Sequence, residues 1–371
     1  TVVRLEPARR SAAPCPSLAG LRSGGADAAP ERALLHAGKR AVALDLEREE
    51  GVALALRLVD WADVVVESAA PDVLERIGLH PAGLLERRPE LIVLSASALG
   101  RTGPPHDPPV SPAALSALAG FDHLTGWPDR EPLAPYGTIT GLLAARYAAA
   151  LIAAALLERA RSGRGQHLDL AELEVGAHAL SELVVCWTGA GVSLARAGNR
   201  SARAAPHGIY PCDGEDAWIA LEVHDDAQWE ALVAAMGHPP WAAEPRFATL
   251  EARLAHVEEL DRRIAEWTAD FAPYELMAGL QDAGVPAGVV QTPELLLRDP
   301  QLAHRRHFVR VEHPRLGPLF AERSGFRLAG CPGGFAGAGP LPGEHTDAVL
   351  REILGLAPEA IGELRARGVL G

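Results

Sequence analysis

The sequence has few cysteines, and they lie far apart. Cys15, Cys186, Cys212 and Cys331 form no CxxC pair and no cluster with histidine at the spacing of a metal site. This pattern favours a reducing compartment, which we take to be the cytoplasm, and we expect no structural zinc and no other metal. The first residues also lack the basic start and apolar core of a signal peptide, so we do not expect export.

Long apolar runs and an excess of basic residues are also missing. The longest apolar run, residues 142–157, is interrupted by Arg146 and is shorter than the ~20 residues that cross a bilayer. We therefore interpret it as a buried helix. The 35 Lys and Arg residues face 48 Asp and Glu residues, a net charge of −13. This balance disfavours nucleic acid and anionic membrane surfaces as partners.

The chain is long enough for two domains with substantial cores. It has 371 residues, of which 48% are hydrophobic and 22% charged, an ordinary globular composition. Helical segments separate apolar strands at residues 41–45, 63–67, 91–95 and 167–170. Strands that are apolar on both faces and separated by helices predict a parallel sheet covered on two sides. We expect a large α/β domain from residues 1–195, completed by residues 300–371.

Residues 205–295 predict a small α+β domain. Two apolar strands flank Asp213-Gly214, which is a strong hairpin signal, and helices are expected at about residues 226–236, 250–271 and 274–283.

Residues 100–112 carry five prolines and are predicted to be a loop. Loops of this kind, at the end of a strand, often carry functional residues.

Two features could support chemistry. Lys39 is the only lysine of the chain, and with Arg40 it suits a phosphate-bearing ligand. A coding preference for arginine with one remaining lysine explains it equally well. Asp122 and His123 place a carboxylate beside an imidazole, as general acid–base chemistry requires, although adjacent side chains usually point apart.

A series of short sequence blocks is spread along the whole chain. They include Gly38-Lys-Arg-Ala-Val-Ala-Leu-Asp-Leu46, Ala62-Asp-Val-Val-Val-Glu67, Pro71-Asp-Val-Leu-Glu-Arg-Ile-Gly-Leu79, Ser162-Gly-Arg-Gly-Gln166, Gly284-Val-Pro-Ala-Gly288 and Gly343-Glu-His-Thr346. Together these blocks resemble the family III CoA-transferases, also called the CaiB/BaiF family. Many colinear blocks are more specific than any single motif.

The resemblance implies a fold and a ligand. It implies a large α/β domain with a Rossmann-like parallel sheet, a small α+β domain, and two identical chains interlocked as linked rings. Coenzyme A enters as an acyl-CoA substrate, together with a carboxylic acid, and no metal is needed. The positions that match the family's CoA-binding residues are Leu44, Ser68, Ala69, Arg76 and Ile77, with Lys39 and Arg40 nearby. Glu47 occupies a position that is often lysine in the family.

The sequence departs from the family where catalysis is expected. The family's nucleophile is an aspartate four residues before a glycine that begins a long alanine-rich helix. Here that glycine is Gly141, and the position of the aspartate is Gly137. The racemase branch needs a histidine at the position of Ser111 and the same aspartate. The catalytic residue is therefore unknown. Candidate replacements are Asp122, His123 and Thr138, with Tyr136 and Thr140 also within reach.

Three functions remain open on the sequence. The chain could transfer CoA between carboxylic acids with a replacement for the missing aspartate. It could be a non-catalytic protein that binds acyl-CoA or pairs with an intact paralogue as half of a heterodimer. It could also be a lyase or isomerase of activated acids that needs only positioning and an oxyanion site.

The family's strand and helix ahead of the segment that Thr1-Val-Val-Arg-Leu-Glu6 resembles are absent from this sequence.

Overall fold

The computed structural model describes residues 1–8, 30–69, 71–103, 110–135, 139–330, 333 and 337–371. Within these ranges the chain forms two compact units. The first comprises Thr1–His123, Leu133–Leu194 and His304–Gly371, and the second comprises Leu124–Pro132 and Ala195–Ala303.

Ten strands are present in the described residues. In chain order they are β1 (Val3–Pro7), β2 (Arg40–Leu44), β3 (Val64–Glu67), β4 (Ile92–Ser97), β5 (Gln166–Ala171), β6 (His207–Pro211), β7 (Trp218–Glu222), β8 (Ala287–Val289), β9 (Phe308–His313) and β10 (Gly317–Glu322).

The helices are likewise numbered in chain order. They are α1 (Pro30–Leu35), α2 (Glu49–Trp61), α3 (Pro71–Arg76), α4 (Pro81–Arg87), α5 (Pro112–Ala119), α6 (Phe121–Leu124), α7 (Ile139–Ser162), α8 (Glu172–Ala179), α9 (Ser181–Ala190), α10 (Asp226–Ala235), α11 (Leu250–Ala255), α12 (Val257–Thr268), α13 (Pro273–Asp282), α14 (Pro293–Arg298), α15 (Pro300–His304), α16 (Thr346–Glu352) and α17 (Pro358–Ala366).

Three of the four strand pairs described in the first unit are parallel, so the predicted α/β class is confirmed; the fourth pair, β9 with β10, is antiparallel. β1 pairs with β2, and β4 lies between β3 and β5, all in parallel. Val93 of β4 packs into a core with β2, α2, α16 and α17, whereas Leu94 packs with α7, β5 and α8. Because neighbouring residues of a strand face opposite sides, helices cover both faces of this sheet.

A further helix lies in the polar stretch between α3 and β4. The structure forms α4 there. His80 caps the helix, because its Nδ1 accepts a hydrogen bond from the backbone N–H of Gly83 at 3.1 Å, and Pro81 occupies the first turn. Histidine is not among the usual capping residues, so the sequence carries little signal for this helix start.

The long helix α7 differs from its prediction in length and burial. It runs over 24 residues, and it is the one described helix long and apolar enough, by length and composition, to cross a membrane. Only Thr140, Ala144 and Ala155 are buried within the single chain, so the predicted burial is not found there. Alanine and leucine residues of the helix point in all directions, whereas the rest of the single chain covers only one side of it.

The second unit has an antiparallel sheet, and the predicted hairpin is confirmed. β6 pairs with β7 and β7 with β8, both antiparallel. The helix expected at residues 250–271 is divided into α11 and α12, because His256 has non-helical backbone angles (φ −122°, ψ 28°). The core of this unit contains Trp229, Phe247 and, partly buried, Trp241.

Candidate functional site

The carboxyl ends of β3, β4 and β5 bring polar residues together. The strand register places Glu67, Ser95 and Asp169 in one row across the sheet. Side chains in one row of a sheet share a face. Ligands of open parallel sheets bind beyond the carboxyl ends of the strands, so this edge is the candidate functional site.

Arg101 joins two of these strands. Its guanidinium lies 2.9 Å from a carboxylate oxygen of Glu67, and the two side chains are only 10% and 11% exposed. The backbone N–H of Arg101 donates to the two Asp169 carboxylate oxygens at 3.3 and 3.1 Å. The loop after β4 is therefore fixed to β3 and β5 by charge-assisted bonds.

An imidazole and a hydroxyl meet on the same face. The Ser95 Oγ and the His167 Nε2 are 2.9 Å apart, and Ser95 is fully buried. Burial lowers the pKa of His167; the Asp169 and Glu67 carboxylates oppose this effect and the Arg101 charge adds to it. The lowered pKa favours the neutral ring, in which one of the two nitrogens can accept a hydrogen bond.

A third carboxyl group lies where β5 passes into α8. The Thr140 hydroxyl, which is fully buried, donates to the Glu172 carboxylate at 3.4 Å. One turn later, a Cβ at Gly176 would lie 2.8 Å from the Ala119 Cβ and 3.2 Å from the Thr140 Cγ2. Only glycine lets α8 approach α5 and α7 this closely, and that approach brings Thr140 to Glu172.

The structure places Lys39 in a cluster of cations. Arg4 lies 2.9 Å from the Glu6 carboxylate, and Arg32 contacts the same oxygen. The Lys39 Nζ is 3.3 Å from the His36 Nδ1 and donates to the Leu35 carbonyl at 3.0 Å. Burial and then the charges of Arg4, Lys39 and Arg32 lower the pKa of His36 to about 4.

The remaining residues matched to CoA binding are distributed along the sheet. Leu44 is fully buried in the core at the carboxyl end of β2, whereas Lys39 and Arg40 lie at its amino end, roughly 15 Å away at 3.3 Å per residue. The Arg40 guanidinium is 2.6 Å from the Glu352 carboxylate. The structure therefore does not bring the Lys39-Arg40 pair and Leu44 together.

Ser68 and Ala69 follow β3 at the carboxyl edge of the sheet, and the Ala69 N–H donates to the Glu67 carboxylate at 2.9 Å. Arg76 is exposed at the end of α3, and Ile77 packs against the first core. Glu47 is exposed, and its backbone N–H donates to Asp45 at 3.1 Å.

The catalytic candidates are only partly within the described residues. Asp122 accepts a hydrogen bond from the Ser116 hydroxyl at 2.7 Å, and His123 is exposed next to it in α6. Ser111 caps α5 by accepting from the Ala114 N–H at 3.1 Å. Thr138, Gly137 and Tyr136 lie outside the described residues. Within the described ranges, no group of three or more His, Cys, Asp or Glu side chains could hold a metal ion.

Comparison with known proteins gives the family. The sequence profile of CoA-transferase family III matches residues 2–346. The chain belongs to CoA-transferase family III. It is 34% identical to the succinyl-CoA–D-citramalate CoA-transferase of Chloroflexus aurantiacus over 91% of this chain and 84% of that protein. It is 31% identical to the succinate–glutarate CoA-transferase of Agrobacterium fabrum over 85% of this chain and 78% of that protein.

Two further relatives extend the comparison of this family III CoA-transferase. The beta subunit of the succinyl-CoA–L-malate CoA-transferase of C. aurantiacus is 30% identical over 90% of this chain and 82% of that subunit. The crystal structure of a CaiB/BaiF family protein from Brucella suis has a TM-score of 0.81 at 30% identity, covering 88% of this chain and 84% of that one. The sequence resemblance is thereby confirmed.

Sequence reasoning missed most residues of the carboxyl edge in this family member. Arg101 lay in the loop predicted to carry functional residues, but its partners Glu67 and Asp169 are 34 and 68 residues away in the chain. The available signal was the polar residue at or near the end of each apolar strand. Glu172 could have been found in the same way, because it directly follows β5.

Proposed function

We propose that this family III CoA-transferase acts on CoA thioesters of short dicarboxylic acids and transfers CoA from one carboxylic acid to another. The similarity to relatives named for succinyl-CoA with D-citramalate or L-malate, and for succinate with glutarate, supports this substrate class. The similarity extends over 85–91% of the chain, so it includes both compact units.

We assign the phosphate groups of CoA to the cluster of Arg4, Arg32 and Lys39. Arg4 and Arg32 both pair with the Glu6 carboxylate, whereas Lys39 donates to the Leu35 carbonyl, so the partners that the structure describes include one carboxylate for three cations. An anion with several oxygen atoms suits such an excess of donors. Arg76 remains a further proposed phosphate contact, and Ser68, Ala69 and Ile77, together with the backbone at Leu44, remain our proposed contacts for the rest of CoA. Arg40, which is paired with Glu352, becomes a secondary candidate.

Residue 137 cannot act as the nucleophile in this chain. Glycine has no side chain to form an anhydride with an acyl group, so a covalent route needs another residue. The carboxyl edge of β3, β4 and β5 offers carboxylates for this purpose.

The experiment is product analysis with the purified full chain. Succinyl-CoA is incubated with D-citramalate, L-malate, glutarate or acetate, and the new CoA thioesters are separated and identified by mass. We expect CoA to move to dicarboxylic acceptors and not to acetate. If succinyl-CoA stays intact with every acceptor although it binds, the proposed transferase function is wrong.

A partner subunit is the second candidate function. Relatives named as the alpha and beta subunits of one CoA-transferase are each 30% identical to this chain, and α7 exposes apolar side chains that include Leu142, Leu151 and Leu157. We propose that this surface is covered by a second copy in an interlocked homodimer, or by a paralogous chain in a heterodimer. Co-purification with an adjacent paralogue, and transferase activity only in the pair, would identify the heterodimer.

A further inference from the structure

Two carboxylates of the candidate site, and Asp122 in α6, have firm hydrogen-bond partners. Glu67 is paired with the Arg101 guanidinium, Asp169 accepts the Arg101 N–H, and Asp122 accepts the Ser116 hydroxyl at 2.7 Å. A carboxylate held by a cation or by short hydrogen bonds has its lone pairs engaged and is a weak nucleophile. These three groups are better suited to fixing the loop and the helices than to attacking a thioester.

Glu172 differs from these groups in its surroundings. Within the described residues it has no ion pair, and its partner is the Thr140 hydroxyl at the long distance of 3.4 Å. It is partly buried at the start of α8, two residues beyond the last buried leucine of β5, Leu170. Thr140 is the second residue of α7 and is only three residues from Gly137 in the chain.

We propose that the Glu172 carboxylate is the nucleophile that carries the transferred group in this protein, and that the Thr140 hydroxyl positions this carboxylate. This inference rests on the proposed CoA-transferase function. Its basis is the combination of a partly buried carboxylate that has no ion pair among the described residues, a buried hydroxyl aimed at it, and a helix packing that only Gly176 permits.

The electrostatics of Glu172 agree with this role. Burial raises the pKa of the Glu172 carboxyl, and the Thr140 hydrogen bond offsets part of that effect. A poorly solvated carboxylate is more basic and more nucleophilic once it has lost its proton. We therefore expect transfer to require the ionised form and to decline as the pH falls through the raised pKa.

The transfer can be written in four balanced steps. A Glu172 oxygen attacks the acyl carbonyl carbon, the C–S bond breaks, and CoA leaves as a thiolate from a glutamyl–acyl anhydride. The thiolate attacks the glutamyl carbonyl, so the first acid leaves as a carboxylate and a glutamyl–CoA thioester remains. The acceptor carboxylate attacks this thioester and forms a new anhydride with release of the thiolate. The thiolate then attacks the acceptor's carbonyl, which gives the new acyl-CoA and regenerates the Glu172 carboxylate.

The test maps the covalent intermediate on the wild-type protein. Succinyl-CoA is added without an acceptor, the mixture is quenched with borohydride, which reduces a thioester or anhydride to an alcohol, and the peptides are analysed by mass. We expect the reduced side chain at Glu172. A reduced side chain at another residue, or none although succinyl-CoA binds, overturns the proposal.

Substitution gives a second measurement with a matched control. Glu172→Gln should lower kcat by a factor of about 10³ or more, because amides are poor nucleophiles, and should leave succinyl-CoA binding intact. Glu174→Gln changes an exposed carboxylate on the same helix and should leave kcat unchanged. Turnover by Glu172→Gln at the wild-type rate contradicts the assignment of Glu172 but leaves the transferase function standing.

The role of Thr140 is tested separately from its packing. Thr140→Ser keeps the hydroxyl, whereas Thr140→Val keeps the shape. If Thr140 positions Glu172, kcat of the valine variant should be half-maximal at a higher pH than in the wild type, because the hydrogen bond that lowers the Glu172 pKa is gone. The serine variant should restore the wild-type profile. Identical pH profiles in all three proteins contradict the positioning role.

Discussion

At the scale of single residues, Arg101 has the clearest structural role. Arg101→Met leaves the Glu67 carboxylate, 11% exposed, without its cation, and breaking such a buried pair costs about 3–5 kcal/mol. We expect a corresponding fall in the free energy of unfolding measured in urea. Arg87→Met removes a surface pair with Asp60 and should have little effect, because both side chains are more than 40% exposed. Equal losses in the two variants would contradict the buried pair.

Lys39 and Arg76 are the residues by which the CoA assignment can be tested. Removing a cation that binds phosphate should weaken CoA binding, and this loss should shrink at high salt because the contacts are ionic. Calorimetric titration of the Lys39→Ala and Arg76→Ala variants with CoA, at low and at high salt, measures the loss of affinity and its salt dependence. Arg365→Ala, which alters an exposed arginine paired with Asp347, is the control. Affinities within about twofold of wild type, less than roughly 0.5 kcal/mol, would show that the assignment is wrong.

At the scale of elements, the junction of α7 and β5 leaves no room for a side chain. A Cβ at Gly165 would lie 1.8 Å from the Leu91 carbonyl oxygen, which directly precedes β4. Gly165→Ala must therefore displace one of two paired strands and should cost about 1–3 kcal/mol in thermal or urea unfolding. Gly189→Ala, in α9 with nothing within 4 Å, should be neutral or slightly stabilising. Similar losses for the two variants would contradict the close approach.

The elements show what the sequence could reveal. The apolar strands β3, β4 and β5 and the β6–β7 hairpin were predictable, because strand periodicity and the Asp213-Gly214 turn are local signals. The exposure of α7 was not, since composition does not tell which surface of the chain covers a helix. The network of Arg101 was not predictable either, because Glu67 and Asp169 meet it only after three strands have paired.

At the scale of the whole molecule, α7 predicts association. Leu142 and Leu151 are 49% and 36% exposed in the single chain, although the helix is strongly apolar. Helices of this kind are usually buried, so we expect a dimer at micromolar concentration by sedimentation. The double variant Leu142→Lys, Leu151→Lys should lose the dimer or fail to fold, whereas Glu158→Lys on the same helix should retain it. A folded wild-type monomer would contradict the interlocked arrangement.

The tryptophan-rich core of the second unit has a practical consequence for spectroscopy. Trp127, Trp218, Trp229, Trp241 and Trp267 belong to that unit, whereas Trp61 and Trp187 belong to the first. Indole emission therefore reports mainly on the second unit, while far-ultraviolet ellipticity reports the helices of both. Both signals can be followed in one denaturant titration. If the midpoint of the emission change differs from the midpoint of the ellipticity change, the two units unfold separately. If the two curves coincide, the units unfold in one cooperative transition.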